Sequence, residues 1–574
     1  MRLPNYSIKI ARLASVLLLV FSSCKGVIDI PAQGVLSAEQ IRTYEDAEAL
    51  TVAAYSQLGN DHYNYPFSLW PYGNVRSDDA YKGGRDPNDI GNYHFLETFY
   101  NLRTDNSNID QLWYRIYIGI RRVNTAIGAL KMFEPGSNAT LNSRLGEMHF
   151  LRGYWYLKLK LLFKYIPYID ENLPASEYEQ KSNKEFSDAQ LWDLIAADFR
   201  KAIDLLPETQ SAAGRANRYA AYAFYARTKL FQAYIQNDQH QVTHIDEAAL
   251  QEVLSATQEV LNSSYKLETD YASNFLPAKE NGIESIFAIQ FSTDDGVGTA
   301  GRTDKGYYIT SPQGLGCCDF QKISYNLVNA FKTNAAGIPD FEHFNDNTAD
   351  FQNNTFDPRL DHTVARPGVP WKYEVTRLFT NSWSRTPAIY GYFNSMKENV
   401  SPDCPCFKID GSFRGNSKNR IEMRFADVLL MRAEALIELG RQNEALPLIN
   451  QIRARAAVST GLLKLANGNS SASYHTALYE PGVNIAWTKE NARTALRVER
   501  RLEFAMENMR FFDLVRWGIA ATTINAYINA ERPKRPNIYD ENAKFTAGRD
   551  EYLPIPQAQI NFSKGIYIQN NGYQ

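Results

Sequence analysis

The sequence predicts a mainly α-helical protein, a scaffold of tetratricopeptide-like helical pairs carrying an irregular, loop-rich insert with a few short strands. Three observations lead there. Apolar residues recur at helical spacing near both ends of the chain, short Pro- and Gly-bearing breaks divide those stretches into pairs, and the periodicity fades in between. The 574 residues suffice for several domains of about 100–200 residues, or for one large body of stacked helical repeats.

From Ser37 to about Ile245 the pattern is helical, apart from an excursion over 61–105. Asp110–Lys131 forms a first long helix, Pro135-Gly136-Ser137 breaks it, and a second runs to about Phe163. Ser187–Leu206 pairs with Ala216–Gln236, where Ala220, Ala221, Ala223 and Ala226 permit close helix contact. From about Tyr265 to Glu422, Gly, Pro, Asn and aromatic residues alternate with short β-prone runs such as Ile286–Ile289. Helices return from Phe425 to about Ala530. Over Asp427–Leu439, residues Leu429, Ala433 and Leu436 make one stripe and Gly440 stops the helix. Asn443 is expected to cap the next helix, with Pro447 inside its first turn, where a missing N–H costs nothing. The organisation read from this is a leader over 1–23, a helical region over 24–264, an irregular insert over 265–422 and a second helical region with an extended tail over 423–574.

The leader carries Arg2, Lys9 and Arg12, then the nine-residue apolar run Leu13–Phe21. A membrane-spanning helix needs about 20 such residues, so the segment reads as a signal peptide. Phe21-Ser22-Ser23-Cys24 resembles a bacterial lipobox, which makes Cys24 the lipidation site and places the mature body at the end of acyl chains. Residues 1–23 hold three basic and no acidic residues, so the net charge of -3 becomes −6 after a cut before Cys24. With charged residues at 22% and no long basic block, nucleic acid is not an expected partner.

Four cysteines remain, Cys317, Cys318, Cys404 and Cys406. Export permits disulfides. Bridges within either cluster would be strained, so a bridge between the clusters is the expected pairing if one exists. Cys-Cys and Cys-Pro-Cys lack the two-residue spacer of structural zinc motifs.

Several segments together resemble the SusD/RagB family of outer-membrane nutrient-uptake lipoproteins. They are Gly119–Ile127, Arg152–Lys158, Gly214–Arg227, Asp357-Pro358-Arg359 and Arg424–Ala435, then Glu499–Gly518, Tyr552–Gln557 and Gln569–Tyr573. The resemblance implies a binding protein, not an enzyme. Such a protein captures oligosaccharide or glycan at the cell surface and delivers it to a TonB-dependent outer-membrane β-barrel transporter. The peptide-binding RagB type is the runner-up, and a glycoside hydrolase the third reading. The alternating charges of Glu499, Arg500, Arg501, Glu503, Arg510, Asp513 and Arg516 read as ion pairs between packed helices, so Glu503 and Glu507 are not expected to be a catalytic pair.

The 73 aromatic residues (Trp 8, Tyr 35, Phe 30) are the compositional oddity. Sugars stack C–H faces on rings and hydrogen-bond to Asp, Asn, Arg and Gln, so loop aromatics beside such groups are the candidates. Two loop clusters qualify. The first holds Asp61, Tyr63, Asn64, Trp70, Arg76, Asp78, Tyr81 and Tyr100; the second holds Cys318, Phe320, Trp371, Arg377, Trp383 and Tyr390. No metal-ligand spacing, nucleophile elbow or phosphate loop is present, and no cofactor is expected. Asp294-Asp295-Gly296 and Asp346–Asp350 lack the spacing of a calcium loop and read as turns.

Overall fold

The computed structural model describes residues 41–298 and 300–573. The expected signal peptide and Cys24 lie outside the described residues. Among the described residues no helix is long and apolar enough to cross a membrane.

Several of the long helices begin where a side chain satisfies free backbone N–H groups. Asn106 accepts from the N–H groups of Asn108 and Ile109 and starts Ser107–Leu130. Ser187 and Gln190 cap each other's backbone at Asp188–Leu205. Asn217 starts Arg218–Ala233 by accepting from Ala220. These boundaries differ by a few residues from the apolar periodicity because the cap, which is polar, sets the first turn. Gln442–Val458 differs too, although no side chain caps it. Its N-cap is Arg441, not Asn443, so Pro447 lies beyond the first turn, inside the helix.

The helices form a stack. Tyr44–Ser56 packs on Ser107–Leu130, and Leu141–Phe163, Asp188–Leu205, Arg218–Ala233 and Glu247–Leu261 each pack on the helix before. The chain then leaves the stack and returns with Phe425–Glu438, which packs against Glu247–Leu261, Gln442–Val458 and Lys489–Phe504. Phe150 shows what joins the layers: its ring lies 5.7 Å from Phe199, 5.3 Å from Phe224 and 4.8 Å from Phe287. Truncating a ring so placed costs about 3–5 kcal/mol.

The insert closes on itself at its base. Strand Ser285–Ile289 pairs antiparallel with Arg420–Arg424, with Arg424 opposite Ser285, so the chain leaves and re-enters the stack at one place. A second pairing joins the two irregular regions, Ala80–Gly83 running antiparallel to Phe320–Ile323. The acidic runs in the insert are turns: Asp295 accepts from the N–H groups of Val297 and Arg302, and Asp350 from those of Gln352 and Asn353.

The C-terminal region is held by buried charges. Arg359 pairs with Asp357 at 2.8 Å, Glu499 at 2.6 Å and Glu503 at 3.0 Å. Arg424 and Arg455 share Glu284, at 2.8 and 3.0 Å, and both also pair with Glu503. Glu507 pairs with Lys397 and Arg424. Two carboxylates with this many cationic partners are structural, as the charge spacing along the helix implied. The tail is stitched to the stack by backbone and amide bonds: Leu553 N–H donates to Leu162 O, and the Asn570 amide to Phe163 O and Leu553 O.

Candidate functional site

The Ala80–Gly83 and Phe320–Ile323 pairing brings the two sequence-defined loop clusters together, and two contacts extend the junction. Arg385 pairs with Asp89 at 3.1 Å, and the Thr386 hydroxyl donates to Arg85 O at 2.9 Å. Asp319, buried beneath, fixes both strands of loop. Its carboxylate accepts from the Lys322 ammonium at 2.9 Å, the Asn394 amide at 2.9 Å and the Arg385 backbone N–H at 2.7 Å. Asp319 N–H in turn donates to Ser311 O and closes the loop 311–319.

That loop carries two glycines whose missing side chains are used. A Cβ on Gly314 would lie 2.4 Å from the Trp383 ring, and one on Gly316 would lie 1.9 Å from the Arg414 guanidinium. Trp383 and Arg414 therefore lie directly against the backbone on either side of Leu315. Arg414 Nη1 donates to Phe413 O at 3.0 Å, and Arg414 Nε to Leu315 O at 2.5 Å. Both side chains are half-buried, held in place and still reachable from solvent.

From Arg414 a line of rings continues. Phe413 lies 5.9 Å from Tyr308 and 5.2 Å from Tyr63, Tyr63 lies 4.0 Å from His62, and His62 lies 5.7 Å from Tyr65. The segment bearing these rings is anchored through its backbone: the Tyr93 hydroxyl donates to Tyr63 O, and the Asn108 amide to Asn64 O at 2.9 Å. Burial holds His62 below the ordinary imidazole value, helped by the charges of Lys305 and Arg115 and opposed by Asp61. Tyr308 is buried beneath Phe413, and the others, His62, Tyr63, Tyr65 and Phe413, make a surface strip of half-buried rings with cations beside them, on a rigid support.

The sequence-predicted residues divide between this strip and the interior. Tyr63, Asn64 and Trp383 reach the strip or its edge, and Arg377 stands at the surface paired with Glu374 and Asp403, both at 2.8 Å. Tyr100 is 49% exposed and has no ring partner among the described residues. Asp61, Trp70, Arg76, Asp78, Tyr81, Cys318, Phe320, Trp371 and Tyr390 are buried. Most of their polar atoms are taken up internally. Trp70 donates to Gly306 O at 2.9 Å, Trp371 to Val400 O at 3.3 Å, and the Tyr81 hydroxyl to Glu531 at 2.6 Å. Asp61 pairs with Arg420 at 3.2 Å and Asp78 with Arg510 at 2.9 Å, and Arg76 donates to Asp550 O at 2.6 Å. Sequence reasoning missed Phe413, Arg414, Tyr308 and Arg115. Phe413 and Arg414 sit on a hairpin, Phe407–Asp410 with Phe413–Asn416, whose return to the first cluster leaves no local signal.

The cysteine expectation is corrected. Cys317 bonds to Cys318 and Cys404 to Cys406, so each cluster closes on itself and neither is a zinc site. The hairpin explains the separation. Its tip end, at Arg414, lies on Leu315 and Gly316, whereas Cys404 and Cys406 precede its base at Phe407. At about 3.3 Å per residue, the strand carries the second pair away from Cys317 and Cys318.

A separate groove of about 430 Å³ lies on the helical stack. Its walls include Trp113, Tyr114, Tyr117, Arg121, Phe562 and Tyr567, and Tyr114 is 55% exposed. Here too rings face solvent together.

The family model described as the SusD family matches residues 283–573, just over half of the chain. The chain belongs to the SusD family. A second model, described as "Starch-binding associating with outer membrane", matches residues 82–230. A SusD-like protein of Formosa agariphila is 23% identical over 571 residues, covering 97% of this chain and 98% of its own length. A SusD-like protein from Bacteroides fragilis superposes with a TM-score of 0.69 at 19% identity, covering 95% of this chain and 100% of that one. Surface glycan-binding protein A from Bacteroides thetaiotaomicron, solved in complex with laminarihexaose, gives 0.63 at 21% identity over 92% of this chain and 100% of that one. The SusD family is one of glycan-binding proteins associated with the outer membrane, not of enzymes. Its signature segments here are structural: Asp357 and Arg359, Glu499 and Glu503, and the Tyr552–Gln557 tail all serve the packing described above.

Proposed function

We propose that this chain is a glycan-binding subunit of an outer-membrane import complex, tethered through lipid on Cys24, facing the exterior and delivering oligosaccharide to a TonB-dependent barrel transporter. The ligand surface is the strip from Tyr65 through Tyr63 and Phe413 to Trp383. One observation carries the assignment: two distant loop regions are locked together to keep rings half-exposed in a row, which internal packing alone does not require. Polar groups at the edge, Asn64, Gln313 and Arg414, supply hydrogen bonds for sugar hydroxyls. Family membership and a neighbour solved with laminarihexaose support the reading. The same three regions, 24–264, 265–422 and 423–574, give the working division of the mature chain.

The test is a glycan array followed by calorimetry on the hits. The expected result is binding of an oligosaccharide that is recovered intact. Binding of peptides with no glycan binding would favour the peptide-importing branch, and release of new reducing ends would sink the non-catalytic reading. Co-purification of a β-barrel with the acylated protein, lost on Cys24→Ala together with membrane retention, tests the tether and the partner.

A further inference from the structure

Three cations border the ring strip without an acidic partner among the described residues. Arg115 lies with its Cζ 5.0 Å from the centroid of the Tyr65 ring. Lys305 sits in the turn whose next residue, Gly306, abuts the carboxylate of Asp61, the neighbour of His62. Arg414 spends its bonds on carbonyl oxygens of Leu315, Ser412 and Phe413, which leaves its charge uncompensated. All three side chains are half-buried.

The acids nearby do not answer them. Asp61 and Asp304 lie beneath the surface on Arg420, at 3.2 and 2.8 Å. Asp89 is occupied by Arg385 at 3.1 Å. Asp410 accepts from the Tyr308 hydroxyl at 3.3 Å and, among the described residues, is the carboxylate left on the strip to oppose the three positive charges. Partly desolvated cations are normally paired, because burial without a counter-charge is unfavourable. Here the rings lie between them.

Resting on the glycan-binding reading above, we propose that the strip takes an anionic sugar, one whose rings carry a carboxylate or a sulfate ester. Arg115, Lys305 and Arg414 receive the negative groups, and Tyr63, Tyr65 and Phe413 pack against the C–H faces. The two anions share the chemistry that matters here, a negatively charged oxygen cluster that accepts charge-assisted hydrogen bonds. The body is acidic overall, with Asp+Glu 64 against Lys+Arg 61. The local excess of cations at this strip therefore stands against the acidic balance of the whole chain.

The experiment is calorimetry on the full-length protein with matched pairs: oligogalacturonate against its methyl ester, and a sulfated galactan oligosaccharide against its desulfated form. The charged member of at least one pair should bind about tenfold tighter or more, with the gap narrowing as salt is raised. The pair that responds identifies the anion. Arg115→Ala and Lys305→Ala should each weaken the charged member about three- to tenfold with the neutral member and the melting temperature unchanged, whereas Arg414→Ala, which also removes a donor to sugar hydroxyls, should weaken both members and the charged one more. Equal binding of neutral and charged members, or charged binding indifferent to all three substitutions, overturns the proposal and leaves the glycan-binding reading standing. If no glycan of either kind binds while the melting temperature is normal, the glycan-binding reading itself fails.

Discussion

Two regions of this molecule are rich in arginine, and they treat it in opposite ways. In the C-terminal core, Arg359, Arg424, Arg453 and Arg455 are buried and all are paired, through Asp357, Glu284, Glu499 and Glu503. On the ring strip, Arg115 and Arg414 are half-buried and have no acidic partner among the described residues. A cation inside protein must be compensated by another buried group or by something that arrives from outside. The core solves the problem internally and becomes rigid. The strip leaves it open, and that is the physical difference between a structural charge and a binding charge here.

The comparison breaks most visibly in the core. Glu503→Gln removes the shared partner of Arg359, Arg424 and Arg455 and should cost about 3–5 kcal/mol, seen as a lowered midpoint in urea unfolding. An unchanged midpoint would mean that the three arginines find other compensation. Next comes pH. Burial alone would raise the Glu503 carboxyl, but the charges of Arg455, Arg424 and Arg359 overcome it and hold it well below the usual range. Asp427 is held low in the same way by Arg500 and Arg227. Their stabilisation is complete above the unfolded carboxylate value of about 4 and is lost as the pH falls through the folded values. Burial pushes Asp550 up to about 6 and Glu551 up to about 7, so their contribution is complete below about 4 and is lost as the pH rises through 6 to 7. The melting temperature should therefore peak near pH 4, falling more steeply on the acid side, where the deepest shifts lie. A profile rising steadily to pH 8 would contradict this.

The core was the more legible region in the sequence. The spacing of Glu499, Arg500, Arg501 and Glu503 already implies ion pairs between helices, because helical periodicity determines which residues share a face. The helical stack was legible for the same reason. The strip was less so. Trp383 and Tyr63 stood out as loop aromatics beside polar groups, but so did Trp70, Tyr81 and Trp371, and nothing local separates a ring that faces solvent from one that folds under the next loop. That distinction is made by pairings such as Ala80–Gly83 with Phe320–Ile323, far apart in sequence. The cysteines make the same point. Strain argued against local bridges, but the hairpin at Phe407–Asn416 sets the distance between the clusters and takes the cross-pairing away.

On the binding side, Trp383→Ala should have the largest effect. Its ring lies on Gly314 and edges against Trp371, at 5.5 Å between centroids, and Phe379, at 5.3 Å, so it is pre-positioned and little ordering is needed on ligand contact. Loss of a stacking ring of this kind should weaken oligosaccharide binding about tenfold, at little cost in stability because the ring is half-exposed. Phe413→Ala should weaken it comparably, since Phe413 joins Tyr63 to Tyr308 in the line of rings.

The smallest expected effect is the sharpest discriminator. Tyr100 and Tyr114 are among the most exposed aromatics of the described chain, at 49% and 55%, yet they stand apart from the strip. Exposure alone favours them as ligand platforms, whereas rigid support and neighbouring rings favour Trp383 and Phe413. Tyr100 has no ring partner to hold it, so a sugar that stacked there would have to order the side chain first, and that cost offsets about 0.5–1.5 kcal/mol of the contact. Tyr100→Ala should leave affinity within about twofold, a change of roughly 0.4 kcal/mol. Tyr114→Ala should do the same, because its groove at Trp113 and Tyr567 is formed by the helical stack and the tail, with no loop from either ligand cluster. If Tyr114→Ala removed most of the binding while Trp383→Ala did not, the ligand surface would move from the locked loops to the face of the stack, and the cations beside Tyr65 and Phe413 would lose their assigned role.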